Sequence, residues 1–270
     1  MKRFVISLIF VVGMLAYSAP IRSAIGARNI SVSEGESISY TAADYIQDGL
    51  ISLWDGIENS DWGTHDDSIA YWSDLIGGRR LETTGTSWSW MNDSLLTENC
   101  GFTIGLSDVA CLRSTFTIEY VGTAISLRYA AYLWGMTANY NSYNRYAGVG
   151  TAITLYYNVM CNGRANNAGF TSTGVQWHNG DHVCITVVYK MGDGLCHIYM
   201  NGEYLTDGIS DGYVVPSSSV GHKLVIGGAG QSTDTVPSLR THCVRIYSRT
   251  LSPEEIKENY VVDKARFDLP

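Results

Sequence analysis

Charge is what this chain has least of. Asp, Glu, Lys and Arg together make up 16% of its 270 residues, and the balance is acidic, with a net charge of −8. No basic cluster stands in the sequence, which excludes the electrostatic footprint of a nucleic-acid binder or of a protein held on anionic membrane surfaces. No C-x-x-C occurs, so neither a zinc ribbon nor a dithiol redox motif is available. Beyond the first 18 residues no apolar run approaches the roughly 20 residues that cross a bilayer as a helix. No EF-hand spacing is present either.

Residues 1–18 have the composition of an export leader. Lys2 and Arg3 form a basic start, Phe4–Leu15 an apolar run, and Ala16-Tyr17-Ser18 a small-residue cleavage pattern. The mature protein is expected to be secreted, periplasmic or held at the cell surface, with no membrane span of its own. Residues 19–43 carry a core pattern only at Ile30–Ser33 and Ser37–Tyr40, an edge hairpin leading into the domain. Residues 44–270 then fit one large domain. Six cysteines in an exported chain raise the question of disulfides. Cys100 and Cys111 flank a short turn-rich segment and are the first pair to test.

What is abundant is glycine, tyrosine and alternation. Val183, Ile185, Val187 and Tyr189 alternate with His182, Cys184, Thr186 and Lys190, the period of a strand with one packed face. Met191-Gly192-Asp193-Gly194 is turn chemistry, after which Cys196, Ile198 and Met200 fall on the same face as Val183, Ile185 and Val187. That register sends Cys184 and Cys196 to opposite faces, so they cannot bond each other. Asn201-Gly202 is a strong hairpin signal and returns the chain into a third strand. Further strands are expected at Tyr45–Gly56, Phe102–Leu106, Thr115–Thr123, Tyr129–Thr137, Ala152–Asn158, Lys223–Gly227 and Arg240–Tyr247. One helix is clear: Ser252-Pro253-Glu254-Glu255 is a capping box, and Ile256, Tyr260 and Val261 would form its apolar face. The pattern predicts an all-β, two-sheet antiparallel sandwich with a short C-terminal helix packed on its outside.

Three segments together resemble a known family. They are Gln47–Gly56 with Trp72–Gly78, then Ile198–Glu203, and last Val244–Ile256. In this order and spacing the chain resembles the laminin-G-like branch of the concanavalin A-like lectin/glucanase superfamily, as found in secreted bacterial proteins. The resemblance implies a jelly roll of two curved sheets, and roles that range from sugar binding through adhesion to purely structural ones. It departs from relatives at Thr241-His242-Cys243-Val244, where an acidic pair usually precedes the Arg-Ile-Tyr strand.

Chemistry on such a scaffold is weighed residue by residue. Strand-borne glycoside hydrolysis calls for two acids on one face, at i and i+2. None of the strand candidates from residue 44 onward carries such a pair, and Glu119 stands alone in its strand. Gly208-Ile209-Ser210-Asp211-Gly212 matches G-x-S-x-G but lacks the strand-to-helix context of a nucleophile elbow. The loop Asp55–Ala70 offers Asp55, Glu58, Asn59 and Asp61 as oxygen donors for calcium, or is simply a solvated polar loop. His178 and His182 are separated by a turn, and a structural role suits them better than a metal pair. Sugar binding needs exposed aromatic faces beside amides and carboxylates. Tyr140, Asn141, Tyr143, Asn144 and Tyr146 interleave in that manner, and Trp62, Trp88 and Trp90 could add a platform. Trp54 and Trp72 read as core. The expected ligand is a glycan or a cell-surface protein, and the expected role is non-catalytic recognition.

Overall fold

Alternation along the chain becomes two stacked β layers in the computed structural model. It describes residues 39–98, 100–105, 107–126, 131–137, 145–151, 156–161, 170–176, 178–190, 193, 195–209, 223–229 and 238–270. In chain order the strands are β1 (Leu50–Asp55), β2 (Tyr71–Ser73), β3 (Arg80–Thr83), β4 (Trp88–Met91), β5 (Ser94–Glu98), β6 (Phe102–Gly105), β7 (Phe116–Ser126) and β8 (Ala131–Thr137). They continue as β9 (Arg145–Thr151), β10 (Tyr156–Cys161), β11 (Phe170–Gln176), β12 (His182–Tyr189), β13 (Leu195–Met200), β14 (Glu203–Ile209), β15 (Lys223–Ala229) and β16 (Ser238–Tyr247). The helix α1 spans Pro253–Phe267.

One sheet runs β14-β13-β12-β7-β16-β5-β4, with β1 also on β16; the other runs β11-β10-β9-β8-β15-β6-β3-β2. β16 meets β7 along one edge, while on the other Ser238–Thr241 pair with β5 and Cys243–Tyr247 with β1. The fold is therefore an antiparallel two-sheet sandwich of jelly-roll type with one short C-terminal helix.

The core between the sheets is what the alternation assigns to it. Ile185 faces Met200, Val187 faces Ile198 and Tyr189 faces Cys196, and these side chains pack with Trp54, Trp72, Trp134 and Phe102. Burying each large apolar side chain is worth about 1.5–3 kcal/mol, so this layer dominates the stability. Asn201 and Gly202 adopt φ of 52° and 77°, the left-handed pair that a tight hairpin turn requires.

The other face of β12 is packed too, where one-sided burial was expected. Cys184 and Val188, with Val121, Cys243 and Tyr247, lie beneath Ile256, Val262 and Phe267 of α1 and against Ala42, Tyr45 and Leu53. α1 thus sits on the outside of the sandwich as predicted, but on Val262, while Val261 faces solvent. Cys184 and Cys196 fall in different clusters, on opposite faces. Cys100 and Cys111 are both free thiols, which corrects the expected pairing. Cys100 is turned to the carbonyl of Ser87, at 3.1 Å, and Cys111 lies in a single 3-10 turn, Ala110–Arg113. β2 to β5, β9 and β11 are not among the expected strands; of the expected strand Ala152–Asn158, residues 152–155 lie outside the described residues and Tyr156–Asn158 fall in β10.

Candidate ligand site

The site is made where the β1–β2 connection meets the β2–β3 turn. Asp74 organises that turn from beneath. One carboxylate oxygen accepts from the backbone N–H of Leu53, Ile76 and Gly77 at 3.0, 3.1 and 2.9 Å. A side chain at position 77 would displace Asp74 or Arg79, because its Cβ would stand 2.5 Å from Asp74 Oδ2 and 2.6 Å from the Arg79 guanidinium. Arg79 turns inward, donating to Ser52 Oγ at 2.7 Å and to the Ile51 carbonyl at 3.1 Å. Asp74 Oδ2 is buried without a hydrogen bond, its nearest cation being Arg79 Nη1 at 3.7 Å.

Arg80 does the opposite. In the β2–β3 ladder Arg80 faces Ser73, which makes Tyr71 its diagonal neighbour on the same face. Its guanidinium lies 4.0 Å over the Tyr71 ring, exposed to solvent, and makes no ion pair with the described residues. A cation held over a ring at an exposed site is biased toward one orientation by about 0.5–1 kcal/mol.

From the other loop comes Trp62. Its ring is 42% exposed, yet not free to swing: the indole N–H donates to the Leu75 carbonyl at 3.0 Å. Its backbone N–H donates to Asp61 Oδ1 at 2.8 Å. Beside it Ile76 is 37% exposed. Ser60, Asp61, Ser73, Ile76, Arg79 and Arg80 line an open cleft of about 270 Å³, near the small end of ligand clefts, roughly 300 Å³ and up.

The sequence-predicted residues divide around this cleft. Asp61 lines it; Trp62 follows Asp61 in the chain and is tied by its indole N–H to the carbonyl of Leu75, another lining residue. Trp88 and Trp90 share a face as expected, but it is the inner one. Trp90 packs edge-on against Trp72 at 5.6 Å and donates to the Ile69 carbonyl, and Trp88 packs on Phe102 at 5.6 Å. Core burial outweighs display for these two rings, and of the three tryptophans Trp62 is the exposed one. Tyr140, Asn141, Tyr143 and Asn144 lie outside the described residues; Tyr146 stands in β9, described for its backbone only. Ser210, Asp211 and Gly212 of the G-x-S-x-G stretch also lie outside them. Arg80, Tyr71 and Ile76 were missed, although Arg79-Arg80 after a Gly-Gly turn is a legible signal for cations at a rim.

The donors expected for calcium do not fit the ion. Arg266 occupies the place of a cation, with Nη1 2.5 Å and Nη2 3.1 Å from the two oxygens of Asp55 and Nη2 3.4 Å from Glu58. The Asn59 amide is spent on the backbone of Asp66, at 2.8 and 3.0 Å. Among the described residues no group of three His, Cys, Asp or Glu converges to hold a metal.

Glu119 is sealed beneath α1. It accepts from Arg245 Nε at 2.8 Å, Asn259 Nδ2 at 2.7 Å and Thr186 Oγ1 at 3.1 Å, and Arg245 continues to Asp263 at 2.6 Å. Burial pushes the Glu119 carboxyl up, while Arg245 pulls it down. It is buried, with its carboxylate held by Arg245, Asn259 and Thr186. His178 bonds Asp181 at 3.3 Å. His182 shares the Thr123 hydroxyl with His242, at 3.2 and 2.8 Å, and His242 stands 3.4 Å from Asp93.

No family model and no curated protein matches the chain. Solved structures do. Trypanosoma rangeli sialidase in complex with sialic acid superposes with a TM-score of 0.59 at 15% identity, over 86% of this chain and 35% of that one. Domain 4 of AbnA, an extracellular arabinanase from Geobacillus stearothermophilus, in complex with arabinotriose, gives 0.56 at 12% identity, over 78% of this chain and 98% of that one. The binding domain of botulinum neurotoxin DC in complex with rat synaptotagmin II gives 0.56 at 10% identity, over 80% and 52%. The likeness is one of fold. The chain spans about a third of the length of the sialidase chains it matches.

Proposed function

We propose that this is a secreted, non-catalytic carbohydrate-binding module of laminin-G-like type, with the cleft lined by Asp61 and Arg80 and bordered by Trp62 as its sugar site. The observation that carries this reading is Trp62 itself. A tryptophan left 42% exposed, yet pinned through its N–H to Leu75, offers a rigid apolar face at the border of the cleft that Asp61, Leu75, Ser73 and Arg80 line. Sugar rings present one C–H-rich face for stacking and an edge of hydroxyls for such polar groups. A domain of nearly the same extent was solved with arabinotriose bound, which supports a glycan as ligand for this scaffold. The sealed position of Glu119 supports binding rather than hydrolysis. A second reading, a module for a protein partner at the cell surface, draws support from the neurotoxin domain solved with synaptotagmin.

A glycan array followed by calorimetry on the best ligand tests the first reading. Trp62→Ala is expected to weaken binding about tenfold, the scale of one aromatic contact, with an unchanged melting curve. Absence of any glycan ligand, or full binding by the variant, would pass the case to the protein-partner reading.

A further inference from the structure

We infer that the cleft selects acidic sugars, a glycan unit whose carboxylate is held by Arg80. The inference rests on the carbohydrate reading of the same cleft and adds the class of sugar. Of the two arginines that line it, Arg79 is consumed by the fold, facing Asp74, Ser52 and the Ile51 carbonyl. Arg80 is left over. It is exposed, carries no ion pair with the described residues, and is stacked at 4.0 Å on Tyr71. The net charge of −8 repels anions at long range, so capture of a carboxylate in this cleft depends on the short-range contact with Arg80.

The geometry suits a carboxylate better than a hydroxyl. A guanidinium edge accommodates two carboxylate oxygens in parallel, and such charge-assisted bonds are roughly twice as strong as neutral ones. A neutral sugar would leave that edge half used. Asp61 and Arg80 line the same cleft without an ion pair between them. One Asp61 oxygen already accepts from the Trp62 N–H, so the other is available to hydroxyl donors. An acidic sugar meets both polar features of the lining, hydroxyls on Asp61 and carboxylate on Arg80, and leaves its apolar face for Trp62 at the border, next to Asp61 and bonded to Leu75.

The test measures affinities for tetragalacturonate and its methyl ester, and for 3′-sialyllactose and lactose. At least one acid is expected to bind about tenfold tighter than its uncharged counterpart, the value of one good charge-assisted contact. Which pair shows the preference tells a uronate from a nonulosonate. Arg80→Gln should bring that ratio close to one, and Arg80→Lys, which keeps the charge and loses the fork, should fall between. Equal binding of acid and neutral partners by the native protein would overturn the inference and leave the carbohydrate reading standing. So would an acid preference that survives in Arg80→Gln. Failure of all four probes and of the glycan array would overturn both.

Discussion

At the scale of single residues, the sheet's outer face is held by charges with no access to water. Arg245 is fully buried between Glu119 and Asp263 and stacked 3.9 Å over Tyr45. Ion pairs of this kind add little relative to apolar residues, but removing one member leaves an uncompensated charge. Asp263→Ala is therefore expected to cost about 3–5 kcal/mol in urea unfolding, and Asp263→Asn less. Asp93 gives a pH signature. The hydrogen bond from His242 holds its carboxyl at about 2, below the ordinary 3.8. A depressed folded value contributes stability above about pH 4, lost as the pH falls toward 2. Melting temperatures from pH 5 to pH 2 should accordingly fall less steeply in Asp93→Asn than in the native protein. Little of this was legible beforehand. Glu119 stands out as a lone acid in a strand, but its partners lie 126 and 140 residues away. The Arg80–Tyr71 stack likewise needs the ladder register before it can be seen.

Among elements, those with strong local chemistry were read correctly and those without it were not. The capping box of α1 is present as read, with Ser252 Oγ accepting from the Glu255 N–H and the Glu255 carboxylate accepting from the Ser252 N–H at 2.8 Å. Ser252→Ala should lower stability by about 1 kcal/mol, measurable as a shift in denaturation midpoint at constant m-value. β12 and its hairpin follow from alternation plus Asn201-Gly202. β9, with sequence RYAGVGT, carries glycines where a strand signal wants bulk, and it takes its conformation from β8 and β10. The inward face of α1 misled for another reason. Asn259 and Asp263 are buried there because the sheet beneath offers Glu119 and Arg245, so hydropathy places Ile256 and Tyr260 on the packed side but picks the exposed Val261 and passes over these two polar residues.

For the whole molecule, the sheets decide what cysteines can do. Val121 is paired with Cys184 on one side and Cys243 on the other. Two strand spacings, about 10 Å, separate those thiols, beyond the roughly 7 Å that a disulfide spans. Burial also pushes both thiols up. A thiol reagent added to the folded protein should leave Cys184, Cys196 and Cys243 untouched and label them all after denaturation; rapid labelling of any of the three before unfolding would contradict this packing.

The position of β16 has a consequence for how the chain is made. The strand that fills the middle of its sheet, touching β1, β5 and β7, leaves the ribosome after all three. Until it arrives, each of those neighbours presents an open edge to whatever else is nearby. Synthesis thus ends on a keystone, and a circular permutant that delivers Ser238–Phe267 first should assemble with fewer misfolded by-products than the natural order.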